Sequence, residues 1–428
     1  MCPRGAGERH YKIPCVMREC ATCGFDKVHR GTCPVESRWA NRSVPVRILA
    51  DRTRIGKSGV AKLVKLESNV VQTWGKFLAD TDRELTSFLI HDFVARWQSE
   101  IYNDMFHWLP EGVEMWVSDY IENFTCFTAV EIQQEFYNRE SISIFITLVV
   151  RRRRCDEAFA STGNDFHLPE NLACDVHVFI SDDKTHDAAF ACLCWEKIAQ
   201  EQIKKRRLPW MVIHWTDGAP NQFKWTLPIW FLSHFYFLFK SHGLQFLWWC
   251  FFASCHGKGM QDAAGAWVKS VVARAILLGG IINSLRSFAT YCEDNLRHAA
   301  PCPVGKERKT FTSGRQFHVV QAPEIAQYRA EMPEVKTWQK DKNAFGSLRQ
   351  NHLFFATADK DVVGRRWVAC MCEACAPPRC DFDACMEQER FTNAGDFLNK
   401  PVVKHLSALW PSEETRAQGI AKSVKVRA

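Results

Sequence analysis

Three aspartates are spaced so that separate elements could bring their carboxylates together. Asp119 closes a short β-type run, Asp217 closes another, and Asp262 opens a helical stretch. Carboxylate oxygens are the protein ligands that hard divalent cations take, usually few in number, with water and phosphate supplying the rest. A pair of such cations activates an attacking oxygen and stabilises a leaving one, which is the clamp that phosphodiester chemistry on DNA needs. One aspartate at a strand end is ordinarily a turn residue. Three in suitable elements and order form a candidate catalytic set for Mg²⁺ or Mn²⁺.

The flanking residues sharpen that expectation. Thr216-Asp217-Gly218-Ala219-Pro220-Asn221-Gln222-Phe223 couples the second acid to a tight glycine turn at a helix start, with Asn221 and Gln222 as polar groups beside it. His256-Gly257-Lys258-Gly259-Met260-Gln261-Asp262 is a basic, glycine-rich approach to the third acid, where the chain can come close to phosphate. His256 either assists proton transfer or touches phosphate, with a structural hydrogen bond as the alternative. Lys269 lies two helical turns after Asp262 on the same face. It either reaches a DNA backbone, as Lys258 would, or is simply solvated. Asp182, Asp183 and His186 follow a third β-type run; helix capping explains either acid, and an auxiliary metal or DNA contact is the other reading.

The 19 cysteines suggest a second kind of metal. The start, Met1 to Gly5, has no apolar signal core, so a disulfide framework is not expected and clustered thiols point to structural zinc. Cys15, Cys20, Cys23 and Cys33 make one cluster, with Cys2 and His29 as spare ligands. Cys370, Cys372, Cys375, Cys380 and Cys385 make another, in which any four could bind. The string Ile55-Gly56-Lys57-Ser58-Gly59 is not a phosphate-binding loop, because position 51 is Asp where that motif needs Gly.

The elements that must position the acids can be read from periodicity. Residues 1–45 form a Cys-rich segment. Residues 46–110 are expected to be helical, with Leu85, Phe88, Leu89, Phe93, Trp97, Ile101 and Met105 as an apolar stripe ended by Pro110. Across 111–300, β-type runs fall at 113–118, 143–150 and 174–180, then a helix at 186–204. A strand at 210–215, a helix at 220–240, a strand at 244–252 and a helix at 259–278 complete the series. Trp267, Val268, Val271, Val272, Ala275 and Leu278 are the expected apolar side of the last helix. Three strands, a helix, a strand, a helix, a strand and a helix is the order of the RNase H-like fold. The expected class is therefore α/β, a mixed five-stranded sheet flanked by helices, with a helical N-terminal region and Cys-rich zinc segments at both ends. Residues 301–428 read as a separate C-terminal region.

Three strings carry a resemblance to a known group: Ser118-Asp119-Tyr120-Ile121-Glu122-Asn123, Asp217-Gly218-Ala219-Pro220-Asn221-Gln222-Phe223-Lys224, and His256 through Gly265. They resemble eukaryotic transposase-like proteins with a DDE/DDD RNase H-like domain, over roughly residues 80–300. Lys269, seven positions after the third acid, is similar to a signature of many DDE recombinases. The resemblance implies end cleavage and strand transfer of a mobile element, or a host protein derived from such an enzyme, acting on element ends and target DNA as a homo-oligomer in the nucleus. Asp262 stands where many relatives carry Glu; its side chain is one methylene shorter, so helix and strand must approach more closely.

Composition is compatible with this. The 46% hydrophobic content, 16 Trp and 30 Phe argue for large buried cores. A net charge of +7 permits a nucleic-acid partner without requiring one, and the basic runs Arg151 to Arg154 and Lys204 to Arg207 are as readily solvated element ends. The most apolar stretch, 225–239, is interrupted by Pro228, Ser233 and His234 and is too short to cross a bilayer, so no membrane partner is expected. Two other readings are kept: a transposase-derived DNA-binding protein without activity, and an RNase H-like nuclease that does not join strands.

Overall fold

A computed structural model describes residues 43–55, 61–127, 139–153, 171–218, 223, 227–253, 259–297, 312–331, 351–357, 362–376, 379–387 and 402–405. The chain divides into two compact units, residues 1–97 with 388–398 and residues 98–387 with 399–428. In the first, β1 (Ser43–Ile55) and β2 (Ala61–Thr73) pair antiparallel from Ser43↔Thr73 to Ile55↔Ala61. Helix α1 (Trp74–Trp108) starts directly after them. The helical expectation for 46–110 is thus corrected for its first part. Alternation such as Val44, Val46, Ile48 is a strand period, and the Gly56 to Gly59 string falls between the paired strand ends, a hairpin signal. Along α1, Ile101 and Met105 are buried as expected, whereas Phe88 is 60% exposed.

The second unit is built on one mixed sheet. Its strands are β3 (Val113–Thr125), β4 (Ser141–Arg152), β5 (Leu172–Ser181), β6 (Met211–Thr216), β7 (Phe246–Phe251), β8 (Thr312–Val319), β9 (Leu353–Thr357), β10 (Val362–Arg366) and β11 (Val402–His405). They lie in the order β11-β10-β9-β7-β6-β3-β4-β5-β8. β3 pairs parallel with β6, and β6 with β7, while β4 runs antiparallel to both β3 and β5. The sheet has nine strands where five were expected: among the described residues after 301, β8 adds parallel to β5 and β9 antiparallel to β7. β6 and β7 are buried along their whole length, and β9 covers the hydrogen-bonding edge that β7 would otherwise expose.

Helices α2 (Ala188–Lys204), α3 (Leu227–Phe239), α4 (Met260–Leu277), α5 (Leu285–Leu296) and α6 (Ala322–Glu331) flank the sheet. Strand alternation assigns the faces. Ser118 on β3 accepts from Trp195 Nε1 of α2 at 2.9 Å and contacts Thr147 Oγ1 of β4 at 2.9 Å, and Trp249 Nε1 of β7 donates to Thr216 Oγ1 at 2.9 Å. The opposite face carries Trp215, whose Nε1 donates to Met105 Sδ at 3.2 Å, and Ile121, against which α4 lies. Helix α3 begins at Leu227, not at 220, and Pro228 occupies its first turn, where proline is tolerated. On α4 the buried side is Ala264, Gly265, Val268, Val272 and Ile276; Leu278, expected on that side, is 81% exposed just past the helix end.

One buried group sets an acid limit on this core. His214 of β6 is fully buried among Trp116, Trp195, Phe231, Phe235 and Trp249, and neither ring nitrogen has a hydrogen-bond partner among the described residues. Burial pushes its imidazole down to about 3. An unfolded histidine takes up a proton near pH 6.5, so stability is lost as pH falls from there toward 3, by up to about 5 kcal/mol for the full shift. His214→Leu is expected to be neutral or stabilising at pH 7 and to flatten the difference in denaturant stability between pH 7.5 and pH 5. An unchanged difference would count against His214 as its source.

Candidate functional site

The parallel register creates the site. β3 and β6 pair in step from Val113↔Met211 to Ser118↔Thr216, so Asp119, the next residue of β3, and Asp217, the first residue past β6, come close together. Asp119 projects to the face on which α4 packs, and the charge of Asp217 is felt there. Asp262 is the third residue of α4, and its Oδ2 accepts from the Gly259 backbone N–H at 2.8 Å, tying the carboxylate to the helix start.

What lets α4 come close is Gly265. A Cβ there would lie 2.3 Å from Ile121 Cγ1 and 2.5 Å from Cδ1, so only glycine allows this approach of helix to strand. Two residues beyond Asp119, β3 carries a bulge: the register shifts between Ile121 and Phe124, leaving Glu122 and Asn123 opposite one residue of β4. Lys269 Nζ donates to Glu122 O at 3.0 Å and lies 3.6 Å from Glu122 Oε2, so the lysine latches α4 to the bulge. The local sequence thus aims acids, helix and strand at one place.

The electrostatics record the convergence. Burial, then the negative charge of Asp262 and, more weakly, of Asp217 push the Asp119 carboxyl up to about 7, against a hydrogen bond from Tyr120 N–H that lowers it. A buried carboxyl whose ionisation two neighbouring acids oppose marks a place that a divalent cation would stabilise. One oxygen from each of the three acids does not lie within 4.8 Å of the other two.

The other expected residues take varied places. Asp187, not Asp182 or Asp183, is the N-cap of α2, accepting from Phe190 N–H at 3.1 Å. Asp182 accepts from Ala322 N–H at 2.8 Å, at the first residue of α6. Although burial pushes the Asp183 carboxyl up, hydrogen bonds from Thr185 and Arg329 hold it lower, and Arg329 bridges Asp183 at 3.0 Å and Asp187 at 2.6 Å. Burial lowers the imidazole of His186, whose ring stacks on Tyr120 at 4.6 Å and whose Nε2 lies 2.6 Å from Asn123 Oδ1 on the bulge. Asn221, Gln222, His256 and Lys258 lie outside the described residues, as do Cys15, Cys20, Cys23 and Cys33. Sequence reasoning quoted Ile121 and Gly265 only as members of longer strings, gave them no role and missed the bulge; a glycine three residues after Asp262 was the available signal.

The C-terminal cysteines form a second centre. Sulfur atoms of Cys370, Cys372, Cys375 and Cys385 all lie within 4.8 Å of one another and could hold one zinc ion; Cys380 is not among them. Four thiolates around Zn²⁺ carry net negative charge, and Arg366, fully buried, donates from Nη1 to Cys375 Sγ at 3.2 Å. Phe382 anchors the segment on the sheet through Phe355 and Trp248, at centroid distances of 4.4 and 5.8 Å. Cys375→Ser is expected to lose one bound zinc and several kcal/mol of stability, whereas Cys380→Ser should keep the zinc; metal analysis of both proteins checks the assignment.

Among known families, one described as a domain of unknown function, DUF8701, matches residues 98–329, more than half of the chain. Comparison with curated proteins and with solved structures gave no match.

Proposed function

The chain belongs to the DUF8701 family, and from the geometry of its site we propose a metal-dependent DNA strand-transfer enzyme of the transposase type, with an RNase H-like core. The observation that carries this reading is the convergence of Asp119, Asp217 and Asp262, expressed in the raised carboxyl of Asp119. The central strand order β5-β4-β3-β6-β7, with β4 alone antiparallel, supports the RNase H-like assignment.

Asp119 and Asp217 would hold Mg²⁺ or Mn²⁺ between them, and Asp262 would complete the set. Such ions supply an activated oxygen nucleophile and stabilise the leaving oxygen. The chain's own part is geometric: β3 and β6 fix two carboxylates in register, and Gly265 and Lys269 hold the third against them. Water attack on a phosphodiester would break its P–O3′ bond and free a DNA 3′-OH, and that hydroxyl would attack a target phosphate, whose own O3′ leaves. Lys258, His256, Asn221 and Gln222 flank the acids in sequence and would contact phosphate, giving salt-sensitive binding. A nuclear location and a homo-oligomer accompany this reading.

The test is Mg²⁺- or Mn²⁺-dependent nicking of plasmid DNA, with Asp217→Asn alongside. Nicking by the wild type alone supports the enzyme. Salt-sensitive DNA binding by both proteins, with no cleavage even of DNA carrying the element's own ends, would favour a binder that keeps the fold without the chemistry. Precleaved ends then separate strand transfer from simple hydrolysis.

A further inference from the structure

On the sheet face opposite the three acids lies a group that the strand-transfer reading does not use. His177 of β5 is buried, His318 of β8 is largely buried, and Glu201 sits on the last turn of α2. His177 pairs with Thr147, which pairs with Ser118, so all three face α2, while Asp119 faces the other way. His177 is also two strands from β3, about 10 Å at the usual strand spacing.

We propose that His177, His318 and Glu201 form a binding site for a zinc-class transition metal, with its remaining position open to solvent. One ligand atom from each of the three lies within 4.8 Å of the other two. His177 Nδ1 is 3.1 Å from His318 Nε2, and the two rings stack at 5.3 Å with an 11° interplanar angle. Glu201 Oε1 is 3.6 Å from His318 Nδ1. Two imidazoles and one carboxylate are a donor set that suits zinc and related ions, and three protein ligands leave the fourth tetrahedral position free.

An approach to that position is present. A cavity of about 190 Å³ is lined in part by His177, Glu201, Lys205, Arg207, Gln316 and Asp175. Lys205 Nζ lies 3.7 Å from Glu201 Oε2, the other carboxylate oxygen from the one facing His318. With two neutral imidazoles and one carboxylate, a bound divalent ion keeps a net positive charge. Lys205 and Arg207 add to it, so the open position favours an anionic oxygen ligand such as hydroxide or a carboxylate. The site needs no part of the DNA chemistry and stands or falls separately from it.

The experiment uses the full chain, stripped with a chelator and reloaded with Zn²⁺ or Co²⁺ alone, with bound metal counted after gel filtration. His318→Gln and Glu201→Gln are compared with the wild type; Glu201 is partly exposed on α2, so its substitution tests the site without opening the core. Both variants are expected to bind one metal ion fewer per chain, while the thiolate-to-cobalt absorption of the cysteine centre stays unchanged. Full wild-type stoichiometry in the Glu201→Gln and His318→Gln proteins would overturn the site and leave a hydrogen-bonded histidine pair.

Discussion

Asp119→Asn is expected to make the metal-free protein more stable at pH 8 while abolishing any metal-dependent cleavage. In the folded protein the Asp119 carboxyl is held at about 7, against an ordinary value near 4. The folded state therefore keeps a proton that the unfolded chain has already released between those values, so stability falls as pH rises from about 4 to 7. Above pH 7 the full cost of a charged Asp119 is present, about 4 kcal/mol from the three-unit shift. An amide of the same shape removes that cost. Mg²⁺ would offset the same repulsion in the wild type, so added metal should raise the wild-type melting temperature much more than that of the variant. Loss of the ligand should lower cleavage by about a thousandfold or more. Thermal melts at pH 5 and pH 8, with and without Mg²⁺, check the stability half. A variant no more stable than wild type at pH 8 would remove the electrostatic argument for the site.

Gly265→Ala is expected to damage both the fold and the site, and Ile121→Ala to restore much of each. The added Cβ would lie 2.3 Å from Ile121 Cγ1, a methylene on the β-branched carbon that cannot swing away as the end of a long chain would. Helix α4 must then retreat, at a cost of about 1–3 kcal/mol of overpacking. The retreat carries Asp262, three residues earlier, away from Asp119. A displacement of about 1 Å at a reacting centre costs on the order of a hundredfold in rate. Ile121→Ala alone should cost stability by opening a cavity, but in the double variant the new methyl occupies part of that space. The double-variant cycle, read in both stability and cleavage, should give a coupling energy of at least about 1 kcal/mol. Additive losses would mean that Gly265 does not set the approach.

The second unit's central elements were legible from sequence because each carries its own period. The runs 143–150 and 174–180 lie inside β4 and β5, and the helix expected at 259–278 is α4 within two residues. The start of α3 was misplaced because Pro220 and Pro228 are both acceptable first-turn residues and local sequence does not choose between them. The hairpin of β1 and β2 was read as helix because its apolar residues suit either period when no partner strand is in view. The side of α4 was misjudged at Leu278, since a residue two positions past the last buried one, Ile276, is apolar without being covered.

Sequence alone singled out the candidate residues: three aspartates at the ends of separate elements, and a C-terminal cluster of five cysteines. It determined these because ligand type and local spacing are properties of short segments. Only the tertiary structure decided which groups meet. The parallel register of β3 and β6 set Asp119 beside Asp217, and the missing side chain at Gly265 brought Asp262 to them. Folding of the segment around Arg366 selected four cysteines and left out Cys380, and the pairing of β8 with β5 joined His318 to a histidine 141 positions earlier. Those choices depend on strand pairing and helix packing between distant segments, for which a single sequence carries no local signal.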